Sequence, residues 1–382
     1  MTAPRILSPL AAINDEGEPP GIAVAASRHG ISASRADNYS RIMSALAEVE
    51  ELGGGYVEFD RPGVYNVTQK LTMAANAGLV GPGRGAVTIK GNLTTALLSS
   101  PNAAIRYNSW RIEHIGFDNT ARGTAGGIGV DMTGISHSLL RGININEAAT
   151  GLKLDKAAYY NQLDSVQVNG AALGVSIGGT GDSTNECLFN NLRINDVVDG
   201  VRINNSTNMC FIKPACEFFT GTAWDIAPTS AVQYTNFVAP RAENSGGIGV
   251  GFNNRALAQA TTVWGGMEAG LATPRINAAG RNNWALVRPG ETELSVDQVL
   301  VENGLMYIAG GVLYMRNVAD SAYVDLVAKN ISATSTVNSG SGVTGNRPAS
   351  GLSVGSQWFD TTLGLPIWWN GTVWKNAAGV TV

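Results

Sequence analysis

The motif Gly-apolar-x-apolar recurs through the middle of this 382-residue chain at Gly127, Gly151, Gly174, Gly200, Ala223 (Ala in place of Gly) and Gly247, with gaps of 24, 23, 26, 23 and 24 residues. Apolar residues two apart at so even a spacing, with no helical period between the copies, are the trace of short strands stacked coil upon coil. A second apolar pair follows each copy: Ile143 and Ile145, Val166 and Val168, Leu192 and Ile194, then Cys216 and Phe218. Strand side chains alternate between faces, so these residues are expected to point inward and stack on their equivalents in neighbouring coils. The pattern predicts an all-β chain built on a right-handed parallel β-helix.

Composition fits such a solenoid. Charged residues make up only 15% of the chain, while glycine reaches 47 residues, which suits tight turns around a continuous core. The net charge of −4, without a basic run, gives no reason to expect nucleic acid or membrane insertion as partners. The stretch MTAPRILSPLAAINDEGEPP is too short in apolar residues for a signal-peptide core, so synthesis in a cytoplasm is expected. Three cysteines, Cys187, Cys210 and Cys216, lie in or beside the apolar ladders and read as buried free thiols.

Four regions are expected. Residues 1–30 read as a flexible or extended lead-in, a candidate attachment peptide. Residues 31–272 read as the β-helix, entered through a capping helix whose face is Ile42, Ala45, Leu46, Val49 and Leu52, with Asp37 as N-cap and Gly53–Gly55 as stop. Residues 273–335, including QVLVENGLMYIAGGVLYMRN and AYVDLVAKN, read as antiparallel strands and a candidate trimerisation region. Residues 336–382 read as a linker and a small aromatic-rich β module with an Asn-Gly hairpin at Asn370 and Gly371.

The residue between the inward pairs forms an outward column of Gly116, Asn144, Gln167, Arg193, Glu217, Glu243 and Glu268. Glycosidic cleavage commonly needs two carboxyl groups, one to protonate the leaving oxygen and one to attack or to activate water. Neighbouring coils would set carboxylates roughly 5 Å apart, as in a retaining pair, and alternate coils roughly 10 Å apart, near the inverting limit. In this reading Glu217, Glu243 and Glu268 are catalytic, Asn144, Gln167, Arg193 and Arg241 bind substrate, and Trp264 is a sugar platform. Sugar binding without catalysis, and plain surface or trimer contact, stay open. A second outward column of Gly129, Lys153, Ser176, Arg202, Asp225 and Gly249 reads as surface pairing, and Asp164, Asp182, Asp196 and Asp199 as turn residues.

No cofactor is implied. His29, His114 and His137 are isolated and no pair has metal-ligand spacing, which disfavours a calcium-dependent lyase. The sequence GPGRG at 81–85 lacks the Lys-Ser/Thr ending of a phosphate loop. Trp358, Trp368, Trp369 and Trp374 read as core or interface of the terminal module, with sugar stacking as the alternative.

Two stretches carry a family resemblance. The helix followed by GGGYVEFDRPGVYNV resembles the start of the pectate-lyase-like β-helix superfamily. The terminal segment, with Phe359 to Leu363 and Pro366 to Gly371, resembles the C-terminal module of bacteriophage tailspikes and tail fibres. Together they imply a homotrimeric receptor-binding protein on a virion tail that recognises, and often cuts, a bacterial surface polysaccharide. With about 30 residues before the helix, the resemblance implies docking to other tail proteins through a short N-terminal peptide. The readings that follow are a polysaccharide depolymerase, more readily a glycoside hydrolase than a lyase, a non-enzymatic adhesin, and a cellular polysaccharide lyase.

Overall fold

A computed structural model describes residues 22–102, 106–179, 181–255, 257–259, 261–277, 282–286, 295–301, 304–309, 312–317, 341–348 and 354–382. The chain divides into two compact units, Met1–Tyr323 and Val324–Val382.

The first unit is a parallel β-helix made of three sheets that the chain visits in turn. Successive coils place Arg111–Glu113, Leu139–Arg141, Gln162–Asp164, Leu188–Asn190, Ser206–Ile212, Val232–Val238 and Thr261–Trp264 side by side in the first sheet. The second sheet holds Ile115–Asn119, Asn144–Asn146, Gln167–Asn169, Arg193–Val197, Ala215–Phe219, Arg241–Glu243 and Met267–Ala269. The third holds Ile128–Asp131, Thr150–Leu154, Leu173–Ile177, Asp199–Ile203, Thr222–Ile226, Val250–Asn254 and Thr273–Asn277.

Corners between sheets are made by single residues in the left-handed region. His114, Gly142, Ser165, Asn191, Lys213 and Ala239 turn the chain from the first sheet into the second, with φ between 49° and 61°. Glu147, Gly170, Asp196 and Phe218 serve the corner from second to third. Phe218 is therefore a corner residue, 57% exposed, and not a member of the core as its spacing suggested. The inward column of the second sheet runs Phe117, Ile145, Val168, Ile194, Cys216 and Ala242.

The glycine ladder has a steric cause. A Cβ on Gly174 would lie 2.6 Å from the carbonyl oxygen of Gly200 and 2.7 Å from Ile194 Cγ2; on Gly200 it would lie 2.3 Å from the carbonyl oxygen of Ala223. Inward side chains of the second sheet fill the space that a third-sheet side chain would need. The register aligns Gly129, Gly151, Gly174, Gly200, Ala223 and Gly251. The expected first and last members, Gly127 and Gly247, are displaced by two and four residues. Gly174→Ala is expected to lower unfolding free energy by about 1–3 kcal/mol through overpacking, read from the denaturant midpoint.

In the later coils of the core Phe189, Phe211 and Phe237 stack at centroid spacings of 4.6 and 4.7 Å. Trp224 and Phe252 of the third sheet pack against this column. Cys187, Cys210 and Cys216 are free; burial pushes the Cys187 thiol up to about 12.

The helix Tyr39–Glu51 buries Ile42, Ala45, Leu46 and Val49, but Leu52 is exposed. Its N-cap is Asn38, one residue later than expected, while Asp37 accepts the Tyr39 N–H and also binds Thr68. Ile22–Ala25 is a strand parallel to Gly55–Glu58, so the end of the expected lead-in belongs to the fold. At the other end, parallel pairing continues past residue 272 to Asn282–Leu286 against Thr261–Trp264. Ser295–Val301, Gly304–Ala309 and Val312–Asn317 then follow as antiparallel strands. The segment AYVDLVAKN, most of the linker and residues 1–21 lie outside the described residues.

In the second unit Gln357–Asp360, Leu365–Trp369 and Trp374–Asn376 form an antiparallel sheet. Asn370 accepts the N–H groups of Thr372 and Val373 in the expected hairpin turn. Asp360, fully buried, pairs with Arg347. Ile367 and Trp374 are buried, while Trp358, Trp368 and Trp369 are half-buried.

Candidate functional site

Register decides which outward side chains share a line. The expected column of seven splits into three. Gly116, Asn144, Gln167 and Arg193 do align, but they continue into Ala215, Arg241 and Met267. Glu217 and Glu243 fall in a parallel column two residues away, after Asp118, Asn146, Asn169 and Asn195. Glu268 pairs with Ala242, which is the inward column, and one of its carboxylate oxygens is buried. A two-residue slip keeps a side chain on its face but moves it to another line, whereas a one-residue slip turns it to the other face.

The resulting outward face of the second sheet is rich in amides. Gln167 Nε2 donates to Asn169 Oδ1 at 3.0 Å, and Asn169 Nδ2 donates to Asn146 Oδ1 at 3.0 Å. Arg84, from the GPGRG turn, reaches across to Gln167 Oε1 at 3.0 Å and Asn144 Oδ1 at 3.5 Å. Further along, Arg241 stands between two carboxylates: Nη1 lies 3.2 Å from Glu217 Oε1, and Nε donates to Glu243 Oε2 at 2.7 Å. Glu217 and Glu243 occupy equivalent positions in adjacent coils, about 4.8 Å apart along the axis. Arg193 is exposed, with no carboxylate in ion-pair range among the described residues.

Trp264 is 55% exposed and lies on the first sheet, in line with Ile212 and Val238, across the Gly265-Gly266 corner from Met267. The same line carries an ion-pair ladder that the inward-pair alignment missed. Arg141 lies 3.8 Å from Glu113 and 3.6 Å from Asp164, while Arg111 contacts Glu113 at 2.5 Å and Asn190 donates to Asp164 at 2.9 Å. Aligning the coils on the corner residues His114, Gly142, Ser165 and Asn191 would have placed all four.

On the third sheet the outward line is Asp131, Lys153, Ser176, Arg202, Asp225 and Asn253; Asp131 and Asn253 replace the expected Gly129 and Gly249. Its charges are paired: Lys153 with Asp131 and Asp155, Arg202 with Asp199, and Arg255 with Asp225 at 2.8 Å. A pocket of about 340 Å³ opens in the early coils, lined by Lys70, Ser99, Ser100, Asp131 and Thr133 among others. Among the described residues no three His, Cys, Asp or Glu side chains converge as a metal site, and no helix is long and apolar enough to cross a membrane.

No family model matches the sequence, and no curated protein does. Among solved structures, the ORF18 protein of Geobacillus virus E2 is similar at 17% identity, over 94% of this chain and 86% of that one, with a TM-score of 0.53. The enzymatically active domain of tailspike protein 2 from bacteriophage CBA120 is similar at 12% identity over 70% of this chain, which spans 43% of that one, with a TM-score of 0.53. The full-length form of that tailspike, from an Escherichia coli O157:H7 phage, gives 12% identity and a TM-score of 0.51. What is shared is the fold: this chain has the parallel β-helix of phage tailspike proteins.

Proposed function

We propose that this chain is a phage tailspike that binds a bacterial surface polysaccharide, whether capsule, exopolysaccharide or O-antigen, and hydrolyses its glycosidic bonds. The observation that carries the reading is the pair Glu217 and Glu243, in register one coil apart on an amide-rich outward face. A separation near 5 Å suits a retaining hydrolase, in which one carboxylate attacks the anomeric carbon while the other protonates the departing oxygen, then withdraws a proton from water in the second step.

Glu243 is the proposed nucleophile, because Arg241 donates to its Oε2 and fixes its direction. Glu217 is contacted through Oε1 among the described residues, which leaves Oε2 to carry and deliver a proton. Asn144, Gln167, Asn146 and Asn169 would bind sugar hydroxyls in the coils before the pair, Arg193 an acidic or hydroxyl-rich unit, and Trp264 a ring face. Glu268, on the inward register, is left out of the reacting pair.

A non-enzymatic adhesin is the second reading, favoured by the ion pairing of both carboxylates with Arg241. Purified polysaccharides of many strains, incubated with the protein, distinguish the readings. New reducing ends without absorbance near 235 nm are expected; absorbance there would indicate elimination, and binding with neither would indicate an adhesin.

The homotrimer is part of the proposal. Val238, Ile248 and Leu257 expose large apolar side chains that a trimer contact would cover. Light scattering is expected to give a particle near 119 kDa (3 × 39.8 kDa), and a 39.8 kDa particle would remove the trimer. The location that follows is the virion tail, acting outside the cell, with other tail proteins as partners of the N-terminal segment.

A further inference from the structure

The corner that leads into the first sheet carries a run of polar and aromatic side chains in the left-handed region. Ser109, His137, Tyr160, Glu186, Asn208 and Tyr234 all have φ between 52° and 61°. The left-handed region favours Gly and Asn, and a bulky residue held there is an outlier that its surroundings must enforce. The enforcement is visible in the backbone: the N–H of His137 donates to Tyr159 O at 2.9 Å, that of Tyr160 to Asn185 O at 3.2 Å, and that of Glu186 to Thr207 O at 3.0 Å.

The large side chains so held do not enter the core. His137 and Glu186 are exposed, and so are Tyr160 and Tyr234. His137 and Tyr160, one coil apart, bring their rings to a centroid distance of 4.9 Å, and Tyr159 stands edge-on to Tyr160 at 6.4 Å. The Glu186 carboxylate of the next coil, beside Tyr160, holds the phenol above its ordinary pKa. Arg106 lies over the Tyr159 ring at 5.1 Å and pairs with Asp182 at 3.4 Å.

We propose that His137, Tyr160 and Glu186 form a second saccharide-binding line, separate from the Glu217–Glu243 face, that holds a neutral or amino-sugar stretch of the polymer. Two rings and then a carboxylate follow one another here at the coil repeat of about 4.8 Å, which suits a chain whose units present both C–H faces and hydroxyls. Arg106 is engaged by Asp182 and Tyr159, so Glu186 sets the local charge and disfavours uronate or phosphate-bearing units. Tyr234 stands further along the same corner, and a long chain would reach it. The inference rests on the glycan reading of the protein.

The test uses the full chain carrying Glu243→Gln, so that polymer is not consumed. An array of bacterial capsular, exopolysaccharide and O-antigen chains first identifies a chain it retains, and that purified polysaccharide is the probe. Adding Tyr160→Asn, which suits the left-handed corner, is expected to raise Kd about tenfold with Tm unchanged or higher. Tyr160→Phe, which keeps the ring, is expected to lose less. Unchanged affinity in Tyr160→Asn would overturn the inference and leave the glycan reading intact. A Tm that falls with the affinity would assign Tyr160 to packing and also overturn it. Retention of no polysaccharide by this protein or by wild type would remove the glycan reading, and this line with it.

Discussion

Glu243→Gln is expected to lower kcat on the cognate polysaccharide about 1000-fold while leaving the dissociation constant for the intact polymer within a few fold. Glutamine keeps the shape and still accepts from Arg241, but it cannot attack the anomeric carbon. Glu217→Gln should fall by a similar factor, and the double variant little further, because two residues serving one reaction do not contribute additively. Small anionic nucleophiles such as azide offer a finer test. In Glu243→Ala, where the shortened side chain leaves room, azide should give a glycosyl azide of inverted configuration, whereas any azide product of Glu217→Ala should keep the configuration, if Glu243 attacks and Glu217 protonates. Full activity in both variants would move the chemistry elsewhere, and the first place to look is the Glu113–Arg141–Asp164 ladder of the first sheet.

Phe211→Ala is expected to cost about 3–5 kcal/mol of unfolding free energy, the range for deleting a buried aromatic ring. Phe211 is fully buried and stacks on both Phe189 and Phe237, so its loss opens a void in two ring contacts together. Phe218→Ala, seven residues on, should change stability by less than about 0.5 kcal/mol, since that ring stands in solvent at a corner. Denaturant midpoints of the two variants, measured at one protein concentration, give the comparison. A large loss in Phe218→Ala with an intact trimer would show that the ring is covered by something other than this chain's own coil; the same loss with dissociation would place it in the subunit interface.

How far the sequence reveals the structure differs from coil to coil. The β-helix is legible because inward residues must alternate with outward ones and recur at the coil length, as Leu152, Val175 and Val201 do. The end registers are not. Gly127 and Gly129 lie two apart, as do Gly247, Gly249 and Gly251, and a slip of two residues leaves the alternation intact. At Cys216 the difference traces to Pro214: it takes the position of Leu192 in the neighbouring coil, but a proline does not look like a strand residue, so the apolar pattern points to a pair two residues late. That displaced Glu217 from the line of Arg193, and a further one-residue slip turned Glu268 to the inward register. Substrate-site roles follow columns, so small register errors redistribute them even where the fold is plain.

The exposed corner residues were hidden for a different reason. Tyr160, Glu186 and Phe218 have no intrinsic preference for the left-handed region, and the preceding strand with the coil above determines that they stand there. By contrast, the Asn370-Gly371 turn was legible because those residues favour that geometry locally.

The most direct measurement of the central claim is the molar mass of the cognate polysaccharide, followed by multi-angle light scattering during incubation with wild-type protein and with Glu243→Gln. A steep early fall in polymer mass with wild type and a flat trace with the variant is the predicted result, as internal cleavage by this carboxylate pair requires. A flat trace with wild type, on a polymer that the protein demonstrably binds, would contradict the account and make the chain an adhesin.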